Sequence, residues 1–140
     1  MKKTTLKLSE SARSGNTLLF AIASTESDLN ICRLLNQVLS INLSLAENLE
    51  LIIKKNPVSF RRYSFEEDEG IEKYSLILNS NGMNYLFPEI RNIDYLLLVQ
   101  SEGYLTSIEN LIDQLKSAPG ITAVYKLDSS SLKSFNKLLY

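Results

Sequence analysis

Near the middle of the chain lies the segment Phe87-Pro88-Glu89-Ile90-Arg91-Asn92-Ile93-Asp94-Tyr95. Its proline has no N–H to donate to a neighbouring strand, so any strand that precedes it is expected to end at Pro88. The apolar run that follows, residues 93–99, is typical of a strand buried on both faces. We therefore expect the segment to join two halves of the fold, with strands before it and a strand-helix-strand unit after it.

Residues 49–87 are predicted to form a meander of four strands. Asn81-Gly82 is a strong signal for a two-residue hairpin turn, because both positions tolerate positive φ. A second two-residue turn is expected at Glu69-Gly70, and a looser turn around Pro57. These turns place the following pairs on one apolar face: Leu78 with Tyr85, Leu76 with Phe87, Leu76 with Tyr63, Tyr74 with Phe65, Leu49 with Phe65, and Leu51 with Tyr63.

The opposite face of this meander is less polar than a face in contact with solvent should be. The same registers align one row of side chains across it, made of Ile52, Arg62, Ile77 and Leu86. This row is a candidate interface with a second copy of the chain or with another protein. The alternative is that these are the scattered apolar residues that any protein surface carries.

The N-terminal half begins with a predicted strand and helix. The continuous apolar run of residues 18–23 predicts a buried strand, and Ser24 or Thr25 can cap the helix that follows. The apolar stripe of that helix is predicted from its spacing to contain Leu29, Cys32, Leu35 and Leu39. Residues 4–8 are a candidate for a further strand.

The C-terminal half predicts a second helix and a last strand. Thr106-Ser107-Ile108-Glu109 has the pattern of a capping box, and Ala118-Pro119-Gly120 is expected to end the helix. Residues 121–127 would form the strand, and residues 129–140 a docking helix or a tail. The sequence therefore predicts one α+β domain over residues 1–140, with an antiparallel-rich sheet, a central four-stranded meander and two helices packed on one face.

The central segment also carries a family resemblance. Phe87-Pro88-Glu89, three residues and then Ile93-Asp94-Tyr95 resemble the signature of the bacterial, mostly Bacteroidota, IPExxxVDY family, with Phe87 in place of Ile and Ile93 in place of Val. The resemblance implies a fold and a bacterial source. It does not indicate an activity, because that family is defined by its sequence and not by a function. The C-terminal strand-helix-strand unit is similar to the second half of ferredoxin-like modules such as ACT domains, which implies ligands near helix N-termini or at a dimer interface.

Composition limits the chemistry and the partners. Fifteen basic against sixteen acidic side chains give a net charge of −1, which offers no overall attraction for nucleic acid. The chain has no histidine, so Ser-His-Asp and Cys-His catalysis are excluded. Its one cysteine, Cys32, is expected to be a small buried hydrophobe, and no apolar run is long enough to span a membrane. We expect a cytoplasmic protein without a cofactor or a metal, and the acidic run of residues 66–69 to be a solvated turn and not a calcium loop.

Two carboxylates in the central segment are the candidates for catalysis. Glu89 and Asp94 lie five positions apart, and Tyr95 adds a hydroxyl group on the other face of its strand. Catalysis by carboxylates needs two of them to flank a substrate, so a shared open cleft would favour an enzyme. The structural alternative is that Asp94 accepts hydrogen bonds from a turn, that Glu89 pairs locally, and that Tyr95 is a core aromatic with a satisfied hydroxyl.

Four cations flank the predicted turn at Pro57. Lys54, Lys55, Arg61 and Arg62 would meet at one end of the meander and could bind an anion or RNA. The chain lacks the aromatic and basic signature of RNA-binding sheets, which argues against RNA. We therefore expect a non-catalytic module that binds a protein partner or a small ligand and self-associates. The alternatives are a carboxylate-based enzyme and, with less support, an RNA-associated protein.

Overall fold

The computed structural model describes residues 17–67, 72–101 and 108–127. The secondary-structure elements are β1 (Thr17–Ser24), α1 (Asp28–Leu39), β2 (Ser44–Leu45), β3 (Leu49–Ile53), β4 (Asn56–Phe60), β5 (Arg62–Glu66), β6 (Glu72–Leu78), a 3-10 helix (Pro88–Ile90), β7 (Tyr95–Ser101), α2 (Ile108–Lys116) and β8 (Ile121–Leu127). The predicted α+β class is confirmed. No helix in the described ranges is long and apolar enough to cross a membrane.

Six of the strands form one antiparallel sheet in the order β2-β5-β6-β7-β1-β8. The two apolar runs that the sequence identifies become its central strands β7 and β1, where both faces are covered. The elements β1, α1, β6, β7, α2 and β8 follow one another in the βαββαβ order of ferredoxin-like modules. This order agrees with the predicted ferredoxin-like elaboration, and β2 to β5 are inserted between α1 and β6.

Both helices pack on the same face of the sheet, as predicted. Ile31 and Leu35 of α1 and Leu115 of α2 are fully buried against alternate residues of β1 and β7, among them Phe20 and Leu97. The start of α1 lies later than predicted. Its cap is Ser27, whose Oγ accepts a hydrogen bond from the N–H of Asn30, because Ser24 is still the last residue of β1. Leu29 is therefore 69% exposed and does not belong to the buried stripe.

A second apolar core covers the opposite face of the sheet. Val58 and Phe60 of β4 and the loop residues Leu86 and Phe87 pack against Leu19, Ala21, Leu96 and Leu98 of the central strands. The sheet is therefore the middle of three layers, with the helices on one side and the β3–β4 hairpin and the central segment on the other.

Part of the predicted meander is confirmed. Tyr63 pairs with Leu76, and Phe65 pairs with Tyr74, as the alternation of apolar residues predicts. The turn predicted at Glu69-Gly70 lies outside the described residues, as do the predicted strand of residues 4–8, the start of the capping box and residues 129–140.

The turn predicted around Pro57 is wrong. The chain turns at Lys54-Lys55, where φ is 51° and 70°, and Pro57 lies inside β4 opposite Ile52. Proline is tolerated there because β4 pairs only with β3. The other edge of β4 makes no hydrogen bonds to a described strand, so the missing N–H of proline is not needed there. The hairpin β3–β4 is consequently a separate two-stranded sheet and does not continue the meander.

The hairpin predicted at Asn81-Gly82 is also wrong. Ser80 pairs with Tyr85 and encloses a four-residue turn, in which the Oδ1 atom of Asn81 accepts the N–H groups of Met83 and Asn84 at 2.9 and 2.7 Å. Because the side chain of Asn81 satisfies these two donors, the tighter turn does not form. Residues 86–94 form no strand, so the pairing predicted for Phe87 is absent from the described residues.

Candidate functional site

A buried amide fastens the central segment. Asn79 is fully buried, and its Nδ2 atom donates to the carbonyl oxygens of Ile90 and Ile93 at 3.1 and 3.0 Å. Its Oδ1 atom accepts the N–H of Phe87 at 2.7 Å, and its backbone N–H donates to the carbonyl oxygen of Asp94 at 3.0 Å. The loop between the 3-10 helix and β7 is thus held in one conformation by a single side chain.

Asp94 ties this segment to the end of β1. Its Oδ2 atom accepts the backbone N–H of Ser24 at 2.9 Å. The hydroxyl of Ser24 in turn donates to the carbonyl oxygen of Gly120 at 2.6 Å and accepts the N–H of Glu26 at 3.0 Å. Gly120 has φ of +97°, and a Cβ atom there would lie 2.9 Å from the Cγ atom of Glu26. Three backbone segments, those of residues 24–26, Asp94 and Gly120, therefore meet in a close, hydrogen-bonded junction.

Tyr95 completes the junction from the helix face of the sheet. Its hydroxyl group donates to the carbonyl oxygen of Glu26 at 2.6 Å, and burial raises the pKa of Tyr95 to about 12. The hydroxyl of Tyr95 is therefore neutral at ordinary pH, and its proton is engaged in this hydrogen bond. This arrangement agrees with the structural alternative for Tyr95.

An open cleft of about 750 Å³ lies beside this junction, where β1 and β6 end and β7 and β8 begin. We call it the strand-end cleft, and its polar wall consists of Ser24, Thr25, Glu26, Ser80, Tyr85, Arg91, Asp94 and Thr122. Of the two carboxylates proposed from the sequence, Asp94 lines this cleft, whereas Glu89 lies on the exposed 3-10 helix and does not line it. The structure therefore does not bring the pair together.

Arg91 is the cation of the strand-end cleft. Its guanidinium group lies over the ring of Tyr85, 5.5 Å from the ring centre. Among the residues that the structure describes, Arg91 makes no ion pair, although Glu26 and Asp94 line the same cleft. Positive and negative groups thus face one open volume without neutralising each other.

A second polar cluster holds Arg61. The Nη1 atom of Arg61 lies 3.0 Å from the Oδ2 atom of Asp28, and the hydroxyl of Tyr63 donates to the same oxygen at 2.6 Å. The hydrogen bond from Tyr63, followed by that from Arg61, lowers the pKa of Asp28, while burial raises the pKa of Tyr63 to about 12. Asp28 is therefore ionised at neutral pH and fixes the position of the guanidinium group.

The predicted cluster of four cations does not form. Lys54 and Lys55 occupy the tip of the β3–β4 hairpin, whereas Arg61 and Arg62 follow the far end of β4. The five residues of β4 between the two pairs separate Lys55 from Arg61 by roughly 20 Å along the strand. Arg62 instead donates from Nε to the carbonyl oxygen of Glu47 at 3.0 Å. The misplaced turn at Pro57 accounts for this error.

The predicted interface row is wrong for two of its four residues. Arg62 does pair with Ile77, but Ile77 is only 2% exposed and Leu86 is fully buried. Both pack beneath the β3–β4 hairpin, which folds over the sheet instead of extending it. Ile52, on that hairpin, is 71% exposed and is separated from them.

Sequence reasoning missed three residues of the site. The sequence pattern places Ser24 at a helix cap and Asn79 in a polar stretch that resembles a turn, and it gives Arg91 no role in a site. Their partners lie between 2 and 96 positions away in the chain, so spacing alone gives no signal for them. Within the described ranges, no group of three or more acidic or thiol side chains is placed to hold a metal ion.

No protein-family model matches the chain, and no curated protein matches its sequence. The resemblance of residues 87–95 to the IPExxxVDY signature therefore stays a prediction, and the strand-end cleft is interpreted from its geometry.

Proposed function

We propose that this protein is a non-catalytic module that binds a small amphoteric molecule in the strand-end cleft. The observation that carries the proposal is that Arg91, which makes no ion pair with any described residue, lines the same open cleft as Glu26 and Asp94. A ligand with both an anionic and a cationic group would neutralise both walls at once.

The floor of the cleft supports binding because it is already formed. Ser24 makes three hydrogen bonds, to Asp94, Gly120 and Glu26, and is almost fully buried. A ligand that enters such a site does not have to order the backbone, and this lowers the free-energy cost of binding.

The walls of the cleft supply groups that can recognise a ligand. Arg91 offers several N–H donors in one plane, which suit a carboxylate or phosphate, and its position over Tyr85 restricts its motion. Asp94 uses Oδ2 for the N–H of Ser24, and its other carboxylate oxygen has no partner among the described residues. That oxygen and the carboxylate of Glu26 suit an amine. Thr25 and Thr122 add exposed hydroxyl groups.

The same contacts argue against the alternative of a carboxylate-based enzyme. Asp94 accepts a hydrogen bond from the backbone, the hydroxyl of Tyr95 donates one to a carbonyl oxygen, and Glu89 lies outside the cleft. The separation of Lys54 and Lys55 from Arg61 and Arg62 likewise removes the basis for binding RNA. Self-association and a cytoplasmic location remain predictions from the sequence, and binding in the cleft requires neither.

The proposal is tested by a thermal-shift screen of the purified protein. The probes are free amino acids and other amphoteric metabolites, each compared with analogues in which the amine is acetylated or the acid is amidated. At about a hundred times its dissociation constant, a ligand stabilises the fold by about 2.7 kcal/mol. We expect stabilisation only by molecules that carry both charges, and its loss in Arg91→Ala.

The matched control is Arg33→Ala. Arg33 is an exposed arginine of α1 that contacts Asn30 and does not line the cleft. Equal responses of the two variants, or stabilisation by the analogues that carry only one charge, would contradict the proposal.

A further inference from the structure

A second cavity continues the strand-end cleft. It has a volume of about 330 Å³ and contains Arg61 and Asn48, and it shares the side chains of Leu78 and Ser80 with the cleft. The two cavities therefore adjoin at these residues, and we call the pair the groove.

The groove runs across the ends of five neighbouring strands. Arg61 lies just before β5, and its carbonyl oxygen accepts a hydrogen bond from the N–H of Leu78 at the end of β6. Leu78 pairs with Tyr95 of β7, Tyr95 with Ile22 of β1, and Ile22 with Val124 of β8. Because adjacent strands are about 4.8 Å apart, the four intervals from β5 to β8 span about 19 Å. A molecule of the size of one amino acid would fill only part of this length.

The chemistry of the second cavity is that of an oxyanion subsite. Arg61 uses Nη1 for Asp28, and its side chain is 57% exposed. The rest of its planar set of N–H donors has no partner among the described residues. The side chain of Asn48 is exposed and adds an amide donor. Asp28 acts as a positioning residue because it holds one end of Arg61, and Tyr63 acts through Asp28, to which its hydroxyl donates.

We propose that the ligand of the strand-end cleft is an elongated molecule whose far end carries a carboxylate or phosphate group bound by Arg61 and Asn48. This inference rests on the proposed function and adds a second subsite to it. One end of the ligand then lies against Arg91, and its middle passes Leu78 and Ser80.

The test follows the side-chain Nε–H resonances of Arg61 and Arg91 by NMR during titrations of the full chain. The probes are the 2-amino derivatives of glutarate, adipate, pimelate and suberate, so that each carries both charges. They are named by their parent acids, as is 2-aminobutyrate, the single-carboxylate reference, and inorganic phosphate is the alternative oxyanion. We expect the longer dicarboxylates to shift both resonances and to bind about tenfold or more tighter than butyrate, since the second contact becomes intramolecular. A stronger response of Arg61 to phosphate than to butyrate would identify a phosphate end.

Three variants separate the possible outcomes. Arg61→Ala and Arg91→Ala should each reduce the affinity for suberate to that for butyrate, while Arg33→Ala leaves it unchanged. Because Arg61→Ala also removes the contact with Asp28, Asn48→Leu provides a second variant that leaves that contact in place. Asn48→Leu should lower the affinity for suberate and leave the affinity for butyrate at Arg91 unchanged.

Each result decides between the two proposals. A shift of Arg91 alone would overturn the second subsite and leave the proposed function intact. Shifts of both resonances without any gain in affinity over butyrate would overturn a single ligand that spans the groove. The absence of any shift at either arginine would contradict both the subsite and the proposed cleft.

Discussion

At the scale of single residues, Asn79 has the largest structural role in the site. Its side chain satisfies three backbone groups of a buried loop, those of Phe87, Ile90 and Ile93. A buried backbone group without a partner destabilises a protein by more than an ordinary hydrogen bond stabilises it. A side chain that satisfies such groups therefore contributes strongly to stability. The conformation of the central segment therefore depends on a residue outside it.

Replacing Asn79 with alanine should lower the free energy of unfolding by roughly 3 kcal/mol or more, since each abandoned buried group costs about 1–3 kcal/mol. Urea unfolding measures this change. Asn42→Ala is the control, because Asn42 is exposed and makes no hydrogen bond among the described residues, and it should change the stability by less than about 0.5 kcal/mol. Similar losses in the two variants would show that Asn79 does not hold the loop.

The residue scale is also where prediction from the sequence succeeded and failed most clearly. The structural alternative for Asp94 is an acceptor of hydrogen bonds from a turn, whereas the donor in the structure is the N–H of Ser24, the last residue of β1. Asn79 was missed because it precedes Ser80-Asn81-Gly82 and looks like part of a turn. Nothing in the sequence indicates that an asparagine is buried when its partners lie 8 to 14 positions away.

At the scale of elements, the β3–β4 hairpin is the least predictable part of the chain. Both residues of its turn, Lys54 and Lys55, have the left-handed conformation that asparagine and glycine usually supply. The sequence gives no such signal at these positions, and Pro57 nearby is a stronger but misleading one. The Tyr63–Leu76 pairing was predictable because apolar residues alternate in both strands, and a shift by one residue would expose them.

Replacing Lys55 with glycine should stabilise the protein by about 1 kcal/mol, because it removes the steric penalty of a left-handed side-chain-bearing residue. The midpoint of urea unfolding measures the effect. Lys73→Gly, in the regular strand β6, is the contrasting control and should be destabilising by roughly 0.5–1 kcal/mol. Destabilisation by Lys55→Gly would indicate that the hairpin turns elsewhere.

At the scale of the whole molecule, the three layers explain why no exposed apolar row exists on the sheet. Residues on both faces of β1 and β7 are buried, so each face needs a cover. The helices cover one face, and the hairpin with the central segment covers the other. The sequence pattern shows that both faces are apolar but does not show which segment returns to cover the second.

Replacing Ile77 with lysine should therefore unfold the protein, because an unpaired charge would be placed in a dry core at a cost of more than about 4 kcal/mol. Ile52→Lys, at an exposed position of the hairpin, should leave the fold intact. Far-ultraviolet circular dichroism and size-exclusion chromatography distinguish the two results. A folded Ile77→Lys variant would contradict the three-layer arrangement.

The strand-end cleft could be predicted only in part from the sequence, because it depends on the arrangement of the whole molecule. The absence of histidine excludes several catalytic mechanisms from composition alone. The cleft itself combines the ends of β1 and β6 with the starts of β7 and β8, and such a combination depends on the strand order of the complete sheet. Local patterns identify the strands but not their neighbours.

The position of β1 between β7 and β8 also has a consequence for biosynthesis. Ile22 pairs with Tyr95 and Leu19 with Leu127, so the ribosome adds the partners of β1 roughly seventy to a hundred residues after it. At about 5–20 residues per second, that delay is roughly four to twenty seconds. Throughout this interval the apolar strand Thr17–Ser24 has neither of its neighbours in the sheet, and an apolar strand with unpaired edges is prone to aggregation in the nascent chain.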